Sequence, residues 1–241
     1  MTMSLLHMTP NPVALSEWAT RKGWLSPDGD YGYALHALLA DAFNGNSPSP
    51  FRYMDEQGLL AYSVERESTL REAIADASPD VRRVLGLESM RVRAFPADWN
   101  AGKRLGFEVR VRPIVRTTKG KERDLYQYRM EQRPVDSTED KPSREAIYRQ
   151  WLEQRLTSDN AARLLNASLE GFALSRVVRR AQSSDAKGQR PAKGVNGPDA
   201  LFRGVLEVTD PAAFTGLLAR GIGRHRAFGY GMLLLCPHQE G

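Results

Sequence analysis

Residues 221 to 231 read Gly-Ile-Gly-Arg-His-Arg-Ala-Phe-Gly-Tyr-Gly, and in no other stretch do residue type and spacing specify chemistry so directly. Gly221 and Gly223 on one side, and Gly229 and Gly231 on the other, bracket a basic core of Arg224, His225 and Arg226. Glycine lets a backbone approach an anion closely and expose successive N–H groups, while guanidiniums supply charge in a planar fork that matches phosphate. The segment therefore reads as a binding element for a phosphate-bearing chain. A dinucleotide fingerprint is excluded, because it must follow a strand and open a helix of a βαβ unit, whereas here only ten residues remain. A mononucleotide P-loop is excluded too, since no Gly-Lys followed by Ser or Thr is present.

Two further groups of cations point the same way. Arg176, Arg179, Arg180, Lys187, Arg190 and Lys193, interrupted only by Asp185, leave a strand and cross a Ser/Gly/Pro connector. A basic hairpin of this kind can grip an RNA stem by its phosphates or reach guanine edges at the stem base. Arg110, Arg112, Arg116, Lys119 and Lys121 form a weaker stripe, a second wall for the same path. The net charge is +5 and Arg outnumbers Lys, which favours bidentate contact with phosphate.

The remaining chemistry-bearing residues are few. Cys236 is the single cysteine, which excludes an intrachain disulfide or thiolate cluster and fits a reducing cytosol. No His-x-x-x-His, His-Glu-x-x-His or Cys-x-x-Cys array occurs, so neither a metal nor another cofactor is expected. His7 and His238 lie near the termini and read as incidental, while His225, within the glycine motif, is placed to contact RNA or to support the backbone, the latter favoured over catalysis. No basic leader with an apolar run, and no stretch of about 18 apolar residues, is present, so a cytoplasmic location away from membranes is expected.

The elements that must position these residues follow from periodicity. Met3 to Met8 reads as a strand, Val13 to Trp24 as an amphipathic helix, and Ser26 to Asp30 as a turn. The helix after that turn places Leu35, Leu38, Leu39, Ala42 and Phe43 inward. Phe51 to Val64 reads as two strands about a Glu56-Gln57-Gly58 turn, Ser68 to Ala77 and Val81 to Leu87 as helical, and Met90 to Phe95 as a strand. That order is the split βαβ pattern of a ferredoxin-like domain ending near residue 100.

From Leu105 the chain alternates. Leu105, Phe107, Val109 and Val111 form an apolar face, and Glu108, Arg110 and Arg112 a mainly basic, exposed one. A long hairpin turning at Lys119-Gly120-Lys121, a polar loop over 136–143 and a helix over 144–156 come next. Phe172 to Val178 and Leu201 to Val208 read as strands, Asp210 caps a helix with Pro211 in its first turn, and Gly231 to Cys236 is the last strand. The expected fold is α+β: tandem ferredoxin-like (RRM-like) βαββαβ domains over residues 1–100 and 101–241. Trp24, Trp99, Trp151 and most Phe residues fall in apolar patterns and read as core.

A glycine-rich loop between the last helix and last strand of a ferredoxin-like unit resembles the signature of the RAMP superfamily of CRISPR RNA-binding proteins. Within it, GIGRHRAFGYGMLLL after DPAAFTGLLAR is similar to the C-terminus of the CasE family of repeat endoribonucleases from type I-E Cascade systems. That family carries a His on or near an early helix, commonly with a Tyr one turn before it. Here Tyr-Ala-Leu-His supplies Tyr33 and His36, and a spacing of three places both on one helical face. Tyr31 is the rival to Tyr33. The resemblance is strong over 31–43 and 201–235, and loose over the first 30 residues and 113–143.

The resemblance implies a metal-independent endoribonuclease that binds a CRISPR repeat hairpin and cuts at the 3′ base of its stem. The 2′-OH before the scissile phosphate would attack it, leaving a 2′,3′-cyclic phosphate and a 5′-OH. His36, with an ordinary pKa near about 6.5, would accept or deliver a proton, and Tyr33 would orient the 2′-OH or share in the proton transfer. The product crRNA would be kept for an effector complex with other Cascade-like subunits. Three other readings stand beside it: a catalytically silent RAMP scaffold, a type IV CRISPR processing nuclease, and a ferredoxin-like RNA regulator outside CRISPR.

Overall fold

Short polar side chains and prolines set where the helices begin. In a computed structural model describing residues 3–26, 28–96, 98–118, 120–134, 140–180 and 192–237, strand β1 (Met3–Met8) is followed by α1 (Pro12–Arg21). The Asn11 side chain accepts a hydrogen bond from the Ala14 N–H, and Pro12 occupies the first turn, where no N–H is needed. Next come α2 (Gly32–Ala42), β2 (Phe51–Met54), β3 (Gly58–Ser63), α3 (Glu67–Ala75), α4 (Pro79–Leu85) and β4 (Arg91–Phe95). Helix α4 repeats the device: Ser78 caps it, Pro79 opens it, and Gly86 ends it in the left-handed conformation.

The second half runs β5 (Arg104–Val111), β6 (Ile114–Arg116), β7 (Glu122–Asp124), α5 (Leu125–Glu131), α6 (Arg144–Leu156), β8 (Ala162–Arg180), β9 (Ala192–Val208), α7 (Pro211–Arg220) and β10 (Leu233–Pro237). The two large sheets have orders β2-β3-β1-β4 and β10-β5-β9-β8, every pairing antiparallel. In each, the first strand lies between the third and fourth and the second sits at the edge. The fold is α+β with tandem ferredoxin-like units, as the pattern predicted.

Apolar alternation explains the packing. Leu6 and Met8 of β1 join Leu35, Leu38 and Leu39 of α2 in one core, while Phe107, Val109 and Val111 of β5 join Ile147, Trp151 and Leu152 of α6 in the other. Each such side chain, fully buried, contributes roughly 1.5–3 kcal/mol. The cores are joined: Met3 and Tyr62 from the first sheet pack into the second core, and the buried Tyr62 hydroxyl donates to the Leu233 carbonyl oxygen at 2.9 Å.

Several expectations need correction. Strands β8 and β9 are far longer than the segments Phe172 to Val178 and Leu201 to Val208, and Ala192 to Pro198 of the presumed connector is strand. Register shifts between Leu164 and Asn166 and between Leu169 and Gly171 break the period-2 pattern, so pairing with β9 and not alternation defines the strand. The hairpin after β5 is short, only three residues per strand, and α5 follows it unforeseen. Lys119 at its turn, Lys187 and Arg190 in the connector, and His238 lie outside the described residues.

The expected exposed basic face of β5 is also overturned. Arg112 is 1% exposed and Arg110 is held in ion pairs, because β8, the turn before α2 and Tyr230 cover that face.

Candidate active site

Helix α2 carries Tyr33 and His36, and its first turn is fixed by Asp30, whose Oδ1 accepts from the Gly32 N–H at 2.8 Å. Gly32 lies so close to the glycine-rich loop that a Cβ there would sit 2.5 Å from the Phe228 carbonyl oxygen. This close approach brings Phe228 over the helix. Its ring centroid is 5.5 Å from that of His36, edge-on at 84°, and 6.1 Å from that of Tyr33. Tyr33 and His36 are 6.5 Å apart, and Trp24 supports Tyr33 from behind at 5.5 Å.

Among the described residues, no hydrogen bond or ion pair engages the His36 imidazole, which is partly buried. Partial burial lowers its pKa below the ordinary 6.5, which keeps it neutral near pH 7. Tyr31 is turned elsewhere, against Tyr53 with centroids 6.1 Å apart. Of the two tyrosines, Tyr33 is the one placed beside His36.

The loop is built from its glycines. Gly221, Gly223, Gly229 and Gly231 all have φ between 73° and 83°, and at Gly231 a Cβ would collide with the Ile222 carbonyl. That proximity lets Ile222 N–H donate to the Gly231 carbonyl at 2.8 Å, closing the neck, while Gly231 N–H donates to the Arg110 carbonyl at 2.7 Å. Gly223 lies against the Trp151 ring. These glycines serve the loop's own folding first.

Glu122 on β7 pins the basic core of the loop. Its Oε1 meets Arg224 Nε at 3.1 Å, and its Oε2 meets His225 Nε2 at 2.8 Å. His225, itself left-handed at φ 62°, has its ring centroid 6.0 Å from that of Phe228. Arg226 donates to the Arg220 carbonyl at 2.6 Å.

A second polar network ties the halves together. Arg110 meets Asp199 through both Nε and Nη2, and its Nη2 also reaches Asp30 Oδ2 at 3.1 Å. Burial alone would lower the Arg110 pKa, but the hydrogen bonds and charge of Asp199, with Asp30, raise it. Tyr230 stacks on Arg110 at 4.4 Å, and burial pushes its hydroxyl up to about 12. Arg112 bonds Ser175 and Tyr230. Both arginines thus act inside the fold.

Arg176 is on the β8–β9 arm, where its backbone N–H donates to Asp28 and its carbonyl accepts from Ser26, fixing the arm to the turn before α2. Arg179, Arg180 and Lys193 continue that arm as strand, with Arg179 paired to Lys193. Sequence reasoning missed the roles of three residues: Phe228, which it did not single out, Asp30, which it placed only in a turn, and Glu122, which no motif marked. Phe228 had a signal in its place between Arg226 and Gly229; the two acids had none.

Among the described residues, no group of three His, Cys, Asp or Glu side chains is arranged to hold a metal ion. Among the same residues, no helix is long and apolar enough to cross a membrane.

The model of the CRISPR associated protein family matches residues 3–237. The chain belongs to that family. Comparison with curated proteins by sequence gave no match. Among solved structures, this CRISPR associated protein is similar to Thermus thermophilus Cse3 bound to an RNA representing a pre-cleavage complex, with 22% identity, TM-score 0.58, and 98% and 100% of the two chains covered. It is similar to the CRISPR-associated protein Cas6e from Escherichia coli K-12, with 18% identity, TM-score 0.52, and 99% and 100% covered. A chain of a CRISPR RNA-guided surveillance complex in a pre-nicking state matches at 17% identity and TM-score 0.52, with 98% and 100% covered. At these identities the likeness establishes the fold.

Proposed function

We propose that this CRISPR associated protein is a repeat endoribonuclease that binds the hairpin of a CRISPR repeat and cleaves at the 3′ base of the stem without a metal. The observation that carries the reading is His36: a half-buried imidazole without a hydrogen-bond partner among the described residues, held edge-on to Phe228 where the glycine-rich loop meets α2. Fold relatives described as CRISPR endoribonuclease Cse3 bound to RNA support the same substrate class.

In the proposed step the 2′-OH attacks the adjacent phosphorus while its proton passes to neutral His36. The P–O5′ bond then breaks and the leaving 5′-oxygen takes up a proton, given back by the His36 imidazolium directly or through water, leaving a 2′,3′-cyclic phosphate, a 5′-OH and neutral His36. Lowering the His36 pKa by burial keeps it in the form that accepts a proton. Tyr33, on the same helical face, orients the 2′-OH. The RNA path runs over Arg224 and Arg226 of the loop and along the β8–β9 arm bearing Arg176, Arg179, Arg180 and Lys193. The cut crRNA stays bound for assembly with other Cascade-like subunits, in keeping with the fold relative from a surveillance complex.

The test is incubation in excess EDTA with the repeat RNA of the same genome and a copy carrying one 2′-deoxy nucleotide before the expected cut. Cleavage of the first alone, with a cyclic phosphate end, is the expected result. Binding without cleavage would instead identify a silent scaffold, and neither binding nor cleavage would remove the repeat hairpin as ligand.

A further inference from the structure

Phe228 divides two concavities of opposite charge. On one side lies a cleft of about 450 Å³ at the start of α2, lined by the carboxylates of Asp28, Asp30, Asp55 and Asp199 against the guanidiniums of Arg52 and Arg110. On the other side a groove of about 660 Å³ passes from Phe228 over Ser49 and Arg226 to Arg220. It shares Arg220, Gly223, Arg224 and Arg226 with a pocket of about 310 Å³ that ends at Arg155 on α6. This second track holds four arginines against two carboxylates, Asp159 and Glu122.

Those carboxylates are engaged: Asp159 with Arg220 at 3.0 Å, and Glu122 with Arg224 and His225. Among the described residues no ion pair holds Arg155 or Arg226, and Arg155 rests its guanidinium over Trp151 at 5.5 Å. A polyanion leaving the His36–Phe228 junction is repelled by the acidic cleft and drawn into the basic track.

We infer that the track from Phe228 to Arg155 is a subsite for the single-stranded RNA 3′ of the cut, held by its phosphates. This deepens the reading of a hairpin endoribonuclease and rests on it. Recognition would run through phosphates, which carry no sequence information, and not through stacked bases, because Trp151, the aromatic ring lining the far pocket, is 5% exposed and offers no face. Arg155 is a phosphate ligand here and takes no part in the chemistry.

The test uses the full chain and non-cleavable 2′-deoxy RNAs: the repeat hairpin ending one nucleotide beyond the scissile phosphate, and the same hairpin extended by single-stranded nucleotides at its 3′ end. The extension is expected to tighten binding on the order of tenfold in the wild type. It should steepen the salt dependence by about 0.7 for each phosphate neutralised, whatever the extension's sequence. Arg155→Glu should abolish that gain and leave affinity for the short hairpin unchanged, which also shows that the variant is folded. A hairpin that binds equally with and without the extension, or a gain that survives Arg155→Glu or follows a 5′ extension instead, overturns the subsite. If the short hairpin itself does not bind, the endoribonuclease reading fails and the subsite fails with it.

Discussion

The His36 imidazole stands edge-on to the Phe228 ring, with centroids 5.5 Å apart and planes at 84°. One ring comes from α2 in the first half of the chain and the other from the glycine-rich loop in the second. Phe228→Ala removes the surface that fixes the imidazole. Single-turnover cleavage should then fall on the order of tenfold to a hundredfold, with hairpin affinity retained. An unchanged rate would show that His36 needs no such support.

His36→Ala should lower single-turnover cleavage by roughly 10²- to 10⁴-fold, the range of a positioned acid or base, while a gel-shift titration shows the hairpin still bound. Cleavage at the wild-type rate would remove His36 as the reacting group.

The pH dependence has a defined sign. Burial lowers the His36 pKa below 6.5, so the proton-accepting form dominates above a midpoint lower than that value. The cleavage rate, measured with RNA well below saturation, should rise with pH through a midpoint below 6.5 and level off above it. The same shift acts on stability. Between the lowered folded pKa and 6.5 the unfolded chain binds more protons, so stability falls as pH drops through that window and levels off below it. His36→Gln should flatten this part of the urea-unfolding profile against pH.

Asp30 joins the halves through one side chain, accepting from the Gly32 N–H with Oδ1 and meeting Arg110 with Oδ2. Asp30→Asn can keep the cap but loses the charge facing Arg110. A fall of roughly tenfold in the cleavage rate is expected, with hairpin Kd and the pH midpoint unchanged, and Asp30→Ala should be worse. Equal effects of the two variants would mean that the charge facing Arg110, and not the bond to the Gly32 N–H, is what matters.

Arg112→Met separates a structural role from an RNA contact. The side chain is buried and bonded to Ser175 and Tyr230, so its loss should cost about 2–4 kcal/mol in urea unfolding. Hairpin affinity of the folded variant should stay at the wild-type value. A large loss of affinity without loss of stability would restore Arg112 to the RNA surface.

Much of this molecule is written in local sequence. Asn11-Pro12, Ser78-Pro79 and Asp210-Pro211 mark helix starts because capping and fixed φ are properties of one or two residues. The apolar alternation of Leu105 to Val111 and the helical spacing of Leu35 to Phe43 fix which faces are buried. The four glycines of the loop were legible as well, since positive φ admits few other residues. From these the tandem ferredoxin-like order follows, together with the two segments that carry Tyr33, His36 and the basic loop.

Tertiary structure decided what those segments meet. That His36 faces Phe228, that Glu122 holds Arg224 and His225, and that Asp30 reaches Arg110 are contacts between residues distant in sequence, on which local periodicity has no bearing. The length of β8 depended on its partner, because its two register shifts erase the alternation and only hydrogen bonding to β9 restores the strand. The fate of Arg110 and Arg112 depended on the same kind of fact. An arginine on the polar face of a strand reads as exposed until another layer covers it, and here Tyr230, Ser175 and two aspartates supply that layer with enough hydrogen bonds to hold the charge inside.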